Sequence, residues 1–327
     1  VIFSLIKGLP FSIKKKLIDE NKCPKKALAS LKKSLIGVSS KTGFKILNQI
    51  NSNSILAKAE KIVQDCIEND IQIIPYWNGF YPKDLIHCID APFLIYMKGE
   101  KNPNNQNLIS IVGTRNCTDY GLKEVKRILK YLKPYPIGIV SGLAYGIDIY
   151  THRTANEFDI VNYAVLGSGI NNIYPKKHLK ESEKIMENGM LISEYTPNEG
   201  PRTYHFPRRN RIIAGVSKCT IVIESKKTGG AMITGRLAND YSRDVFAVPG
   251  NNHQEYSSGS NLLIQRHQAT ILNHPEQIIE ALNIKRVENK TTLIHNKKNL
   301  SKEEELVLSI ISKNNEMSIN EIQIKSS

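Results

Sequence analysis

From residue 108 onward the chain alternates short apolar runs with helix-like stretches, and this alternation restricts its fold more than anything else in the sequence. The runs cover residues 108–112, 137–140, 161–166, 190–193, 220–224, 245–248 and 269–272. They are rich in isoleucine and valine and lack polar alternation, the pattern of strands buried on both faces of a parallel sheet. Helix-like segments such as 121–133, 176–188 and 231–241 fill the intervals. Strand, crossover helix and strand at this spacing predict a doubly wound α/β domain with a mostly parallel sheet.

The flanks read differently. Residues 14–20, 25–35, 42–50 and 55–68 mix lysines with apolar positions at helical spacing, separated by turn signals at Gly8-Leu9-Pro10, Cys23-Pro24 and 37–43. They predict a small helical bundle over residues 1–65. Residues 71–75 and 93–97 read as two strands entering the α/β domain, which is expected to run from 66 to 283. Helix 276–282 closes it, 284–300 is a lysine-rich linker, and 301–327 opens a further helical segment capped by Ser301 that stops too soon for a core of its own.

Lysine and arginine number 45 against 31 aspartate and glutamate, a formal charge of +14. That excess favours a polyanionic partner. The five cysteines (Cys23, Cys66, Cys88, Cys117 and Cys219) form no CxxC and no cluster with histidine. Neither a zinc site nor a disulfide framework is expected, which fits a reducing cytoplasm. No apolar run reaches the roughly 20 residues of a membrane helix and no signal peptide precedes Val1, so no membrane partner is expected.

In open α/β sheets ligands bind where the strands' carboxyl ends lead into helix starts. The strand ends here carry Gly113-Thr114-Arg115, Ser141-Gly142, Gly167-Ser168-Gly169, Ser193-Glu194, Lys227-Thr228-Gly229-Gly230 and Pro249-Gly250. One glycine at such a turn serves only tight geometry, but six such loops on one edge predict a phosphate-lined groove. Gly113 is not followed by GxGxxG spacing, and no GxxxxGK[ST] occurs, which disfavours a dinucleotide or nucleoside triphosphate cofactor. No cofactor is expected.

Residues 206–215 place Phe206, Arg208, Arg209, Asn210 and Arg211 before an apolar stretch. Arginine forks grip phosphates and an adjacent ring suits an unstacked base, so this segment is the candidate polyanion grip. Asp148 and His152 stand four apart at a helix start. They read either as an acid/base pair or as a helix-start charge with a structural bond, and the missing nucleophile favours the second. Glu224 is open between a catalytic role, orienting a loop amide and pairing with an arginine. His205 is open between phosphate contact and packing, while Trp77 and Tyr81 are expected to pack.

Taken in order, these motifs resemble the DNA-processing protein A family (DprA, also called Smf). The resemblance rests on Tyr81-Pro82, Lys98-Gly99, Gly113-Thr114-Arg115, Ser141-Gly142-Leu143-Ala144, Gly146-Ile147-Asp148 with His152, Gly167-Ser168-Gly169 with Tyr174-Pro175, and Ser193-Glu194. It continues through Phe206-Pro207 with Arg209-Asn210-Arg211, Thr228-Gly229-Gly230 with Thr234, Val248-Pro249-Gly250 and Asn261-Leu262-Leu263. It spans about residues 75–272.

The resemblance implies an extended Rossmann-like domain that binds single-stranded DNA, a homodimer, and help in loading the RecA recombinase during natural transformation or recombination. It also implies a helical N-terminal domain of the SAM or helix-hairpin-helix kind, and makes 301–327 the opening of a truncated winged-helix-like domain. Carried over, the DNA-binding residues are Gly113, Thr114, Arg115, Ser141, Gly142, Gly167, Gly169, Phe206, Arg209, Asn210, Arg211, Lys227, Gly229, Gly230 and Thr234. Arg115, Arg209, Arg211 and Lys227 are the expected phosphate ligands and Phe206 the stacking ring, with Arg208 left as solvated charge. Thr228-Gly229-Gly230 departs from the family's usual serine-glycine-serine, and Arg266-His267-Gln268-Ala269 lacks a glycine often found late in the core. The alternative is a related nucleoside-monophosphate hydrolase with a PGGxGTxxE loop. Here Arg236 stands in the place of its glutamate.

Overall fold

The computed structural model describes residues 1–36 and 40–286. The segment 301–327 and the linker from 287 onward lie outside the described residues. Five helices come first: α1 (Ile2–Leu5), α2 (Phe11–Asn21), α3 (Pro24–Leu35), α4 (Lys41–Asn51) and α5 (Asn53–Glu68). Gly43, expected in a turn, lies inside α4 because Ser40 caps that helix by accepting the Gly43 amide at 3.0 Å.

Strands β1 (Gln72–Pro75) and β2 (Leu94–Gly99) follow, and then the predicted alternation. It runs β3 (Asn107–Val112), α6 (Asp119–Leu132), β4 (Ile137–Ser141), α7 (Ile147–Glu157), β5 (Val161–Val165), α8 (Leu179–Glu187) and β6 (Gly189–Ser193). It continues with α9 (His205–Val216), β7 (Cys219–Val222), α10 (Gly230–Asp240), β8 (Asp244–Ala247), α11 (Ser258–Gln265), β9 (Thr270–Ile271) and α12 (Glu276–Leu282). The nine strands form one sheet in the order β1-β2-β6-β5-β4-β3-β7-β8-β9. β3 to β9 pair in parallel, and β1 and β2 add an antiparallel edge beyond β6. This is the doubly wound, Rossmann-like architecture that the alternation predicts.

Both faces of the central strands are apolar for a visible reason. On β3, Ile109 and Ile111 point into a core shared with Val125, Ile128, Leu129 and Leu132 of α6. Leu108 and Val112 point into the opposite core, with Val140, Val165 and Ile212. Side chains of a strand alternate in direction, so a strand covered on both faces is largely apolar, and the buried polar side chain of β3, Ser110, is bonded to the Thr220 hydroxyl of β7 at 2.8 Å.

That second core does not end at the sheet. It runs on through Ile74, Phe93 and Tyr96 into Ile62, Leu31, Ile18 and Phe3 of the helical part. Val1–Arg286 accordingly forms one compact unit. The division expected at residue 65 therefore passes through a shared core, and α5 crosses it. Among the described residues no helix is long and apolar enough to cross a membrane. All five cysteines are free thiols.

Candidate nucleic-acid interface

The order of parallel strands reverses at β3, whose neighbours β4 and β7 continue the chain in opposite directions. Such a switch point leaves a crevice at the carboxyl edge, because the helices after the two strands depart to opposite faces. Here the loop after β3 bridges it. Thr114 donates its amide to the Glu224 carbonyl at 2.7 Å and accepts the Ile147 amide at 3.1 Å. Gly146 has φ +74 and lies so close that an added Cβ would strike the carbonyls of Thr114 and Arg115. Glycine is needed there on both counts.

The Glu224 carboxylate is buried and accepts the Thr118 amide at 2.9 Å and the Thr118 hydroxyl at 2.6 Å. Thr118 is the N-cap of α6. Of its three open roles, Glu224 therefore has the loop-orienting one.

On this frame Arg115 is exposed, with its guanidinium carbon 5.8 Å from the centroid of the half-buried Phe206 ring. Tyr174 packs against that ring at 5.4 Å between centroids, tilted by 47°, and stays 44% exposed. A Cβ on Gly167 would stand 2.7 Å from the Phe206 ring, so its absence lets the ring settle on the end of β5. The result is an exposed cation and two aromatic rings side by side, an arrangement that takes a phosphate and an unstacked base together. Lys227, Thr228 and Gly230 are also exposed, in the loop that opens α10. Gly229 N-caps that helix and leaves no room for a Cβ against the Ser225 hydroxyl. In the sequence Tyr174 stands only as part of the Tyr174-Pro175 motif. Its exposure next to Phe206 is visible only in three dimensions.

The expected phosphate ligands Arg209 and Arg211 are placed otherwise. Arg209 is 3% exposed, and its Nη1 donates to the carbonyls of Gly142 (2.7 Å) and Val165. It thus ties the ends of β4 and β5 together beneath the surface. Burial pulls its pKa down to about 10, opposed by the Asp148 carboxylate. Arg211 is 7% exposed, donates from Nη2 to Glu194 Oε2 and stands 4.0 Å from Asp90. Neither offers a free fork to the Phe206 surface.

The sequence carried the signal. Arg209, Ile212, Ile213 and Val216 follow the i, i+3, i+4, i+7 spacing of a buried helical stripe, so Arg209 belongs to the core face of α9. Arg208, set aside as solvated charge, is the exposed arginine of the three and lies 3.6 Å from Glu194.

Other expected contacts also support the edge from beneath. Ser141 is fully buried and donates to the Ile111 carbonyl at 2.7 Å, joining β4 to β3. Gly142 is buried, and a Cβ there would press on both Arg209 and Asp148 at 2.6 Å. Gly169 is packed against the backbone of Thr196 and Pro197, and Thr234 is 1% exposed within α10. Asn210 links Arg209 Nε, at 3.2 Å, to the Gly230 carbonyl, at 3.3 Å. Gly113 is half-buried against Ile147 and shapes the turn.

Asp148 and His152 are buried but do not form a pair. His152 Nδ1 meets Asn162 Oδ1 at 2.7 Å, and its Nε2 accepts the Leu143 amide at 3.3 Å. This bonding is complete only for neutral imidazole with the proton on Nδ1. Burial lowers the His152 pKa to about 4, from an ordinary 6.5. Burial likewise raises that of Asp148, opposed by Arg209 and by the amides of Ala144 and Gly142. His205 packs, stacked on Tyr195 at 3.8 Å, and Tyr81 is buried with its hydroxyl on the Pro92 carbonyl at 2.6 Å. Trp77 packs edge-on against Tyr76 and Phe93 while remaining 47% exposed.

His152 gives a pH prediction. Its folded pKa lies below its unfolded value, so the unfolded chain binds more protons between them. Stability therefore falls as pH drops from about 6.5 toward 4, by on the order of 3 kcal/mol across the window. Asp148 acts in the opposite sense, because a carboxyl with a raised pKa gains native stability on protonation. Comparing urea midpoints of wild type and His152→Gln over this range separates the two. An unchanged pH slope in the variant would assign the dependence to other groups.

Comparison with known proteins agrees with this architecture. The family model "DNA recombination-mediator protein A" matches residues 72–283. The chain belongs to that family. It is 36% identical over 211 residues to protein Smf of Escherichia coli, covering 64% of this chain and 56% of that one. It is 37% identical over 200 residues to DNA processing protein DprA of Streptococcus pneumoniae, covering 61% and 71%. The chain thus spans little more than half the length of the first of these relatives.

The crystal structure of the pneumococcal DprA aligns with a TM-score of 0.74 at 30% identity, over 85% of this chain and 96% of that one. DNA processing protein A from Helicobacter pylori, from a structural study of its single-stranded DNA binding mode, aligns at 0.59 and 25%, over 65% and 95%.

Proposed function

We propose that the chain binds single-stranded DNA along the carboxyl edge of its parallel sheet, without catalysing a reaction on it. The observation that carries this reading is the exposed Arg115 guanidinium against Phe206, with Tyr174 alongside. A cation and stacking faces exposed at one point suit a strand whose bases are unpaired. A duplex would hold its bases away from the rings. Lys227, exposed in the loop that opens α10, is the second proposed phosphate contact. The absence of catalysis is supported by the carboxylates. Glu224 is committed to Thr118, Asp148 is buried, and Arg236 takes the place of the glutamate of the nucleotide-hydrolysing relatives.

Family membership supports the wider role: delivery of the bound strand to the RecA recombinase in recombination or natural transformation, by a homodimer in the cytoplasm. Affinity for a single-stranded oligonucleotide is expected to fall about tenfold or more between 50 and 200 mM salt, as counterions released from several phosphates compete. Fluorescence anisotropy over a salt series measures it, and a flat response would remove the electrostatic part of the reading.

A further inference from the structure

Helix α9 has a second face. Arg208 lies two residues, or about 200° of helical rotation, from Phe206, and with Tyr204 and Arg211 it lines a cleft that Phe206 does not reach. This cleft encloses about 1020 Å³ between α9, the strand β2 and the helical part of the chain, where Lys14, Lys58 and Lys61 face it. That is ample for a nucleotide-sized ligand.

Some of its buried polar atoms are not satisfied by the protein. Tyr96 is 1% exposed and Arg211 7%, and the Tyr96 hydroxyl, Arg211 Nη1 and Glu194 Oε1 have no hydrogen-bond partner among the described residues. Lys14 is 7% exposed, and its ammonium has one acceptor, the Ile6 carbonyl at 3.2 Å. Buried polar atoms without partners are rare in folded proteins.

The charges point to the sign of a ligand. Seven lysine and arginine side chains line the cleft against four carboxylates, of which Glu194 pairs with Arg211 and stands 3.6 Å from Arg208, Asp90 stands 4.0 Å from Arg211, and Asp65 accepts the Asn198 amide at 2.7 Å. Lys14, Lys58 and Lys61 have no acidic partner within 4.0 Å among the described residues. Tyr204 is 58% exposed at the rim and offers a ring face.

We propose that this cleft is a second binding site, separate from the Arg115 edge, that takes the phosphate of a nucleotide on Lys14, Lys58 and Lys61. The nucleotide is either free or part of a strand that has crossed α9, and the second source rests on the reading under Proposed function.

Calorimetry with dTMP on the full chain tests the first source. Anisotropy with oligothymidylates of about 8 and about 24 nucleotides, lengths bracketing a typical single-strand site, tests the second. If the nucleotide is free, dTMP binds saturably, and Lys14→Met and the Lys58→Ala/Lys61→Ala pair each weaken it about tenfold or more. If it belongs to a strand, the same variants weaken the longer oligonucleotide about tenfold and leave the shorter one unchanged.

The proposal is overturned if neither ligand responds to either set of variants in protein with wild-type circular dichroism. Lys58 and Lys61 are exposed, so their variant keeps the test open should Lys14→Met fail to fold. Arg115→Ala serves as the control, because loss of the groove lowers binding of the shorter oligonucleotide, which the cleft does not govern.

Discussion

Arg209→Met is expected to destabilise the protein by about 3–5 kcal/mol, the cost of leaving a buried carboxylate without its compensating charge. Asp148 is the carboxylate in question, 7% exposed and facing Arg209 across Gly142. The variant also frees the carbonyls of Gly142 and Val165, which Arg209 Nη1 holds. Urea denaturation measures the loss, and Asp148→Asn added to Arg209→Met is expected to return part of it. A variant with wild-type stability and weakened DNA binding would instead make Arg209 a phosphate ligand, as the motif alone suggests.

Arg115→Ala is expected to weaken single-stranded DNA binding about tenfold and to lower the slope of log affinity against log salt by about one contact. The melting temperature should stay where it is, because the side chain is exposed and its principal contact is the Phe206 ring. Phe206→Ala is expected to cost about 1–3 kcal/mol of binding through lost base stacking. Anisotropy titrations of both variants at two salt concentrations read these effects. Unchanged affinity in both would place the strand elsewhere on the molecule.

The two variants separate what could be read in the sequence from what could not. Strand positions were legible because burial on both faces leaves a periodicity-free apolar run, and β3 to β8 fall within two residues of those runs. The strand-end loops followed from that. Which arginine of residues 208–211 meets solvent was harder, since a motif records chemistry and the helix face records burial. The apolar spacing of Ile212, Ile213 and Val216 places Arg209 on the core face of the helix, a signal that the motif's chemistry does not record. Tyr174 could not be placed beside Phe206 from the sequence, because one lies in the connection after β5 and the other in α9 after β6, and they meet only through the pairing of β5 with β6. The shared core of the helical part was hidden for the same reason: Phe3 and Phe93 stack at 5.6 Å across ninety residues of chain.

Within six residues α9 presents Phe206 to the exposed edge, Arg209 to the strand ends and Arg208 with Arg211 to the cleft. Its rotational setting is held at the far end, where Gly215 lies against Leu85 and Cys88 with room for no side chain larger than hydrogen. The helix therefore behaves as a keyed shaft. Deleting one residue between Phe206 and Gly215 would turn the leading end by about 100° and hand each of the three surroundings the wrong side chain. A point substitution edits one surface at a time, whereas an indel in this helix would disconnect all three at once.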